Sequence, residues 1–344
     1  MRPSHALQAD QPHDVPHRVR VERRDLRPDD VAIRVTHCGV CHSDLHALAA
    51  GPEAFPLVPG HEFVGEVVEV GPDVRDFAVG DPVAVGNIVD SCGVCPMCRA
   101  DQENFCQDFP TLTYGGRDRV DGSTTLGGFS TEYVARDRFV YHRPAGLDAA
   151  GVAPLMCAGV TVWEPLRAWG VGDGSAVGVV GLGGLGHLAV KMAHALGARV
   201  TVFTRTLDKA DDARALGADD VVLSTDDAAM AAVAGTLDLV IDTVAVPHPV
   251  EPYLRVLAMD GTLCSLGHLG PVTVETTALL IGRKRLSSSG SGGRRSTREM
   301  LDFCSRHGIV ADVEVLPSRS IAVALERLEA GDVRYRFVLD LADL

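Results

Sequence analysis

Apolar and polar positions fall into short alternating runs over the first 150 or so residues. "DVAIRVTHCGV" (30–40), "EFVGEVVEVG" (62–71) and "DPVAVGNIV" (81–89) each read as strands, with turn signals such as "GPD" and "GD" between them. This part is predicted to be an irregular, mostly β domain. Near residue 150 the pattern changes. "SAVGVVGLGGLGHLAVKMAHALGARVTVFTR" (175–205) reads as strand, glycine turn, helix, strand. "DKADDARALGADDVVLS", "LDLVIDTVA", "PYLRVLAMDGTLCSLGH" and "VTVETTALLIGRK" continue the alternation, which predicts a parallel α/β sheet. "SSSGSGG" (287–293) reads as a strand end and loop. "SIAVALERLEAGD" then reads as a helix and "RYRFVLDL" as a last strand.

Length supports the division into two parts. Single cores rarely grow past roughly 250–300 residues, and this chain has 344. No apolar run approaches the roughly 20 residues of a membrane helix. The opening "MRPSHALQADQPHDVPHRVR" lacks the apolar stretch of a signal peptide. A reducing, cytoplasmic compartment is therefore expected, and in it the nine cysteines serve as thiols or metal ligands rather than bridges. A formal charge of −14 argues against nucleic acid and anionic membranes as partners; otherwise it reads as solubility.

"GLGGLG" (181–186) matches G-x-G-x-x-G, follows an apolar strand and opens a helix, the context that motif requires. Gly181 allows the tight turn, Gly183 lets the backbone approach a pyrophosphate, and Gly186 allows close helix–sheet packing. Gly184 and Leu185 complete the binding turn, and the helix N-terminus offers free N–H groups to phosphates. In an NAD site an acid about 20 positions on binds the ribose 2′-hydroxyl. Here Thr204, Arg205 and Thr206 hold that place, and Asp208, the first acid, falls past the strand end in the expected next helix. A carboxylate repels a 2′-phosphate, whereas a guanidinium and hydroxyls bind it. NADP(H) is the expected cofactor, with Lys209 as a further contact. A solvated Arg205 and use of both nicotinamides is the alternative.

"CGVCPMCRADQENFC" places Cys92, Cys95, Cys98 and Cys106 in the spacing C-x2-C-x2-C-x7-C. Four thiolates suit tetrahedral zinc and leave no position open for substrate, so this cage is structural. An iron–sulfur cluster is the chemical rival. Any metal chemistry must lie elsewhere. "CGVCHSDLH" (38–46), "VPGHEFVGEV" (58–67) and "PLMCAGVTVWEPL" (154–166) supply further cysteines and histidines. Cys38, Cys264 and Cys304 read as buried thiols, and His5, His13, His17 and His142 as uninvolved.

In order along the chain, "CGVCHSD", "PLVPGHEFVGEVVEVG", "CGVCPMC…ENFC", "LGGFSTEYV", "PLMCAGVTVWEPL", "GLGGLGHLAVKMAHALGA" and "MLDFCSRHGIVADVEV…GDVRYRFVLD" resemble the zinc-dependent medium-chain dehydrogenases/reductases. Within them the chain is most similar to cinnamyl-alcohol-dehydrogenase-like aldehyde reductases. The resemblance implies an α/β architecture. A GroES-like, mostly-β catalytic domain (1–152 and 287–344, with a structural zinc lobe at 90–108) is split around a Rossmann domain with a doubly wound parallel sheet that binds NADP(H) (153–286). It implies two zinc ions per chain. Cys41, His61 and Cys157 would hold the catalytic one with one position open, a Cys2His set known from alcohol dehydrogenase and taken here from the family. Asp44 would orient the ligand histidine and Glu62 would be the carboxylate near the zinc. Ser43 would take the substrate proton, His46 would end the relay by way of the cofactor ribose, and His42 would contact the pyrophosphate. Zinc would polarise an aldehyde carbonyl or acidify an alcohol, with hydride passing to or from the nicotinamide. A homodimer formed by extension of the Rossmann sheet is a family expectation.

The implied activity is interconversion of primary alcohols and aldehydes, aromatic or medium-chain. A polyol, sugar or secondary-alcohol dehydrogenase on the same scaffold is the competing reading. A quinone or enoyl reductase would lack the three ligands, and a non-catalytic relative would have lost a ligand or Ser43. "SSSGSGGRR" (287–295) and the short loop "ALAAGPEAFPL" after His46 depart from the family pattern and suggest a roomier or more polar substrate mouth.

Overall fold

The strand expected at 30–40 runs over Asp30–Val40 and is the hub of a seven-stranded sheet. On one edge it pairs antiparallel with Phe63–Val70. On the other, Glu132–Arg136 takes its first half and Arg336–Asp340 its last residues, in the register Phe337↔Val40. Val313–Pro317 lies parallel to Arg336–Asp340 beyond it, and the helix Ile321–Glu329 makes the connection between them. Pro82–Val85 and Val140–His142 complete the sheet on the far side. Ile33, Phe63, Val67, Phe129 and Phe337 meet in one buried cluster. Burying each such side chain contributes about 1.5–3 kcal/mol.

Two features differ from the pattern-based reading. "DPVAVGNIV" is not one strand. Pro82–Val85 stays in the large sheet, while Ile88–Asp90 pairs with Thr111–Leu112 in the four-cysteine lobe. The break falls at Gly86, where a Cβ would stand 2.7 Å from the Met156 carbonyl. The first residues form a hairpin, Arg2–Gln8 against His17–Arg23, that the pattern did not announce.

The computed structural model describes all 344 residues. They form two units, Met1–Cys157 with Gly292–Leu344, and Ala158–Ser291. The boundaries thus lie at 157/158 and 291/292 rather than 152/153 and 286/287. Ala153–Met156 packs against strands Asp30–Val40 and Phe63–Val70 and belongs with them. Arg285–Ser288 pairs with Leu257–Ser265 as the last strand of the other unit's sheet.

That second sheet has six parallel strands in the order Asp220–Leu223, Arg199–Thr204, Ala176–Val180, Leu237–Asp242, Leu257–Ser265, Arg285–Ser288. In chain order this is 3-2-1-4-5-6, the doubly wound dinucleotide-binding arrangement. Its central strands are largely buried, apolar runs such as "AVGVV", because the middle of a parallel sheet is covered on both faces. Helices Ala158–Ala168 and Gly186–Ala195 pack together, and Asp227–Ala232, Glu251–Val256 and Thr276–Leu280 form a second group. No single helix is long and apolar enough to cross a membrane.

Candidate active site and metal centres

The hub strand ends at Val40 and the helix His42–Leu48 begins at once, with Cys41 as its N-cap in extended backbone. Asp44, at the third helical position, closes the turn. Its Oδ2 accepts from the Cys41 N–H at 2.9 Å. Its Oδ1 accepts from the Gly60 N–H at 3.1 Å and faces His61 Nδ1 at 3.2 Å. Gly60 adopts φ +94°, and a Cβ there would meet the Phe129 nitrogen at 2.6 Å, so only glycine makes this turn. One fully buried carboxylate therefore caps the helix and orients a histidine 17 positions away. With Nδ1 engaged by Asp44, the other ring nitrogen of His61, Nε2, faces the Cys157 sulfur, 3.3 Å away.

Cys157 ends the turn Ala153–Met156. The donor atoms of Cys41, His61 and Cys157 lie within 4.8 Å of one another. The hydrogen bond from Cys157 holds the Cys41 thiol well below its ordinary pKa, and the same bond pushes Cys157 up. Burial works against a charged His61, but the Asp44 carboxylate beside it raises its pKa well above the usual value. Two thiols and an imidazole thus share protons in a buried space, and sulfur with imidazole is a zinc donor set.

The other residues read from the sequence surround this cluster. Ser43 Oγ lies 3.7 Å from Cys41 Sγ. Ser43 and His46 stand three positions apart on one helix, hence on neighbouring faces, and both are exposed, as is His42. Glu62 is fully buried. Its Oε2 accepts from Arg336 Nη2 at 2.7 Å while its Oε1 has no partner. Burial pushes the Glu62 pKa up to about 7, against the pull of Arg336. Gly39 is required beside it, since a Cβ there would collide with the carboxylate.

Two residues of this site were missed by sequence reasoning. Arg336 is 4% exposed and places its charge against both Glu62 and the Cys41 thiolate. Its only signal was a charge inside the apolar run "RYRFVLD". Tyr114 sets its ring edge-on to His61, with centroids 5.6 Å apart, and nothing in its local sequence marks it.

The four cysteines of the lobe also converge, with all four sulfurs within 4.8 Å. Cys92 and Cys98 sulfurs are 3.8 Å apart, far beyond the roughly 2.05 Å of a disulfide. Backbone amides point inward: Cys95 N–H to Cys92 Sγ at 3.4 Å and Cys98 N–H to Cys95 Sγ at 3.5 Å. The amide of Cys98 holds the Cys95 thiol down at about 6, whereas burial raises Cys98 to about 12. The set fits a closed tetrahedral zinc cage.

In the parallel sheet, the connections from Ala176–Val180 and from Leu237–Asp242 leave in opposite directions, which opens a crevice at their carboxyl ends. Gly181 turns there at φ +86°. A Cβ at Gly186 would collide with the Gly181 carbonyl, while one at Gly183 would meet nothing within 4 Å, so open space remains above that backbone. Gly184 and Leu185 lead into the helix Gly186–Ala195. The Thr204 hydroxyl donates to the Thr206 carbonyl at 2.9 Å, Arg205 is exposed, and Lys209 Nζ reaches back to the Leu182 carbonyl at 3.4 Å. Asp208 sits in the connection before the helix Ala210–Ala215, not within it.

Comparison with known proteins matches residues 27–145 to the alcohol dehydrogenase GroES-like domain and residues 184–306 to the zinc-binding dehydrogenase family. The chain is 45% identical to an aldehyde reductase of Escherichia coli (strain K12), covering 93% of each chain. It is 48% identical to a mannitol dehydrogenase of Petroselinum crispum, covering 93% of this chain and 96% of the other. Among solved structures, a cinnamyl alcohol dehydrogenase from Sorghum bicolor superposes with a TM-score of 0.94 at 42% identity, covering 98% of each chain. A CAD from Helicobacter pylori, solved as a complex with NADP(H), gives 0.91 at 32% identity, also covering 98% of each.

Proposed function

Since the chain belongs to the zinc-dependent medium-chain alcohol dehydrogenases, in their cinnamyl-alcohol-dehydrogenase-like group, we propose that this alcohol/aldehyde oxidoreductase is an NADP(H)-dependent aldehyde reductase of aromatic or medium-chain primary aldehydes. The observation that carries the reading is the buried Cys41–His61–Cys157 cluster with its histidine oriented by Asp44. Zinc held there supplies Lewis-acid polarisation of a substrate oxygen, and NADP(H) supplies the hydride.

The chain's own residues do the rest. Asp44 keeps the His61 proton on Nδ1, so that Nε2 remains a donor. Ser43 Oγ stands at the edge of the cluster and takes the proton of an alcohol, or returns it to the product of aldehyde reduction. His46, one turn on, passes that proton to solvent, which its exposure permits. Arg336 neutralises Glu62 and favours the Cys41 thiolate. In the other unit the glycine turn and the N-terminus of Gly186–Ala195 receive the pyrophosphate. Thr204, Arg205, Thr206 and Lys209 favour a 2′-phosphate over a bare hydroxyl, and the NADP(H) complex of the Helicobacter pylori relative supports this choice.

The reading includes a homodimer. Its support is the edge strand Arg285–Ser288, with Met259, Leu280 and Ile281 each more than 70% exposed nearby in sequence or register. It also includes a reducing, cytoplasmic setting, in keeping with nine unpaired cysteines. A polyol such as mannitol is the second reading, favoured by the likeness to the Petroselinum crispum protein. Steady-state assays of aldehydes, primary alcohols and mannitol with each nicotinamide test both readings. The first expects aromatic or medium-chain aldehydes with NADPH to give the highest kcat/KM, and a maximum for mannitol with NAD would overturn it.

A further inference from the structure

The chain passes between its two units at 157/158 and again at 291/292. Each crossing stands beside one of the two cysteine clusters. At the first the link is direct, because Cys157, the last residue before the crossing, is itself a member of the Cys41–His61–Cys157 cluster. At the second it is made by a buried carboxylate that the reaction does not use.

Glu103 lies between Cys98 and Cys106, opens the short turn Glu103–Phe105 and is 2% exposed. Its Oε2 accepts from the backbone N–H of Arg294 at 2.9 Å, and its Oε1 accepts from Arg294 Nε at 2.5 Å. Asp101 adds Arg294 Nη2 at 3.3 Å and Arg295 Nη2 at 2.7 Å. These arginines begin the 14-residue helix Arg294–His307, whose N-cap, Gly293, has no side chain to offer. The first amides of a helix need acceptors, and its positive end favours a carboxylate. Glu103 supplies that acceptor from 191 positions away. Gly293 cannot carry a side chain, because a Cβ would collide with the Asp101 carbonyl.

The clamp is tied to the cage by backbone bonds on both sides. The Asp101 N–H donates to the Cys98 carbonyl at 3.2 Å, and the Cys106 N–H donates to the Glu103 carbonyl at 3.1 Å. Residues 101–103 are therefore shaped by two of the four cysteines, and they grip the chain immediately after its second crossing.

We propose that the four-cysteine cage anchors the returning chain through Glu103 and Asp101, with Glu103 a positioning residue for residues 292–295. The cage metal and the start of helix Arg294–His307 then stabilise each other, a coupling that must be reciprocal. The proposal rests on the reading of this cluster as a zinc cage.

The test uses the full-length, zinc-loaded protein and begins with zinc analysis of every preparation. Hydrogen exchange is followed in wild type, Glu103→Ala and Glu103→Gln. Zinc transfer to a chromogenic chelator is followed in wild type and Arg294→Met. Glu103→Ala with both zincs in place should exchange the amides of 294–297 about tenfold faster than wild type, with the rest of the unit little changed. Glu103→Gln keeps one acceptor, should show a smaller increase, and replaces the alanine variant if that does not fold. Arg294→Met should release the cage zinc about tenfold faster, while the zinc at Cys41, His61 and Cys157 leaves at the wild-type rate. A wild-type cage without metal would overturn the zinc reading and the mutual stabilisation with it. Metal in place, but exchange and release both within twofold of wild type, would overturn the anchor alone.

Discussion

Replacing Asp44 by asparagine separates two jobs that one carboxylate performs. Asp44 is fully buried and meets four donors: the Cys41 N–H at 2.9 Å, the Gly60 N–H at 3.1 Å, His61 Nδ1 at 3.2 Å and the Tyr114 hydroxyl. Alanine would orphan all four. Each buried donor left unpaired costs roughly 1–3 kcal/mol. The total approaches the roughly 5–15 kcal/mol that hold a whole domain folded, so alanine is too blunt a probe. Asparagine keeps the volume and one acceptor oxygen. Its best placement turns Oδ1 toward Gly60 and His61 and its NH2 toward the Cys41 N–H, which orphans one donor and destabilises by about 1–3 kcal/mol. His61 keeps its tautomer but now faces a neutral acceptor, so its Nε2 is a weaker metal donor. Loss of such a partner lowers metal affinity about 10–100-fold. The assay is competition with a chelator on protein loaded with both zincs, with thermal melts alongside. One zinc should weaken by that factor while the cage zinc is unaffected. A variant that melts lower yet holds both zincs as wild type does would refute the claim that Asp44 tunes His61 and leave it only a helix cap.

Further outcomes follow from the same geometry. Ser43→Ala should lower kcat by about 10²–10⁴-fold, and His46→Gln less, because water can replace the outer end of the relay; Ser43→Ala retaining more than a tenth of wild-type kcat, against that roughly 10²–10⁴-fold range, would remove Ser43 from the proton path. Cys41→Ser should abolish turnover while the fold persists, whereas Cys95→Ser should empty the cage and lower the melting temperature; full activity in Cys41→Ser would sink the assignment of the catalytic metal. NADPH should exceed NADH in kcat/KM by about 10–100-fold, and Arg205→Ala should erase most of that margin, since it removes a charge-assisted bond; equal kcat/KM values in wild type would contradict this. Asp118 is bonded by Arg27 at 2.8 and 3.0 Å and by the amides of Val120 and Asp121, and although partial burial raises its pKa, these bonds prevail and hold it at about 2. A carboxyl held below its unfolded pKa stabilises above about pH 4 and loses that contribution as pH falls toward 2. Wild-type Tm should therefore fall more steeply over that range than the Tm of Asp118→Asn, and parallel curves would show that the pair contributes nothing.

What could be read from the chain alone was whatever depends on neighbours in sequence. The cage is legible because its four cysteines lie within 15 residues and need only a local turn to converge. The glycine turn is legible for the same reason: Gly181 and Gly186 each satisfy a steric demand made within a few residues. Strand Asp30–Val40 and the strand–helix alternation of the parallel sheet followed from periodicity, and the unit boundaries, taken from the family resemblance, fell within five residues of those observed. Only the tertiary structure decided which distant groups meet. Arg336 reaches Glu62 because Phe337 pairs with Val40 on one edge of the hub strand while Phe63 pairs with Cys38 on the other. Both charges are thereby delivered to the end of the strand from which Cys41 departs. That register is set by burial of side chains across the whole sheet, and a one-residue slip would turn each of them to the opposite face. No window of local sequence contains that information. The same holds for Tyr114 against His61 and for Glu103 beneath Arg294, whose partners are brought to them by packing. Spacing along the chain could nominate ligands, but the burial that makes Asp44, Glu62 and Arg336 an interdependent set exists only once the sheet has closed around them.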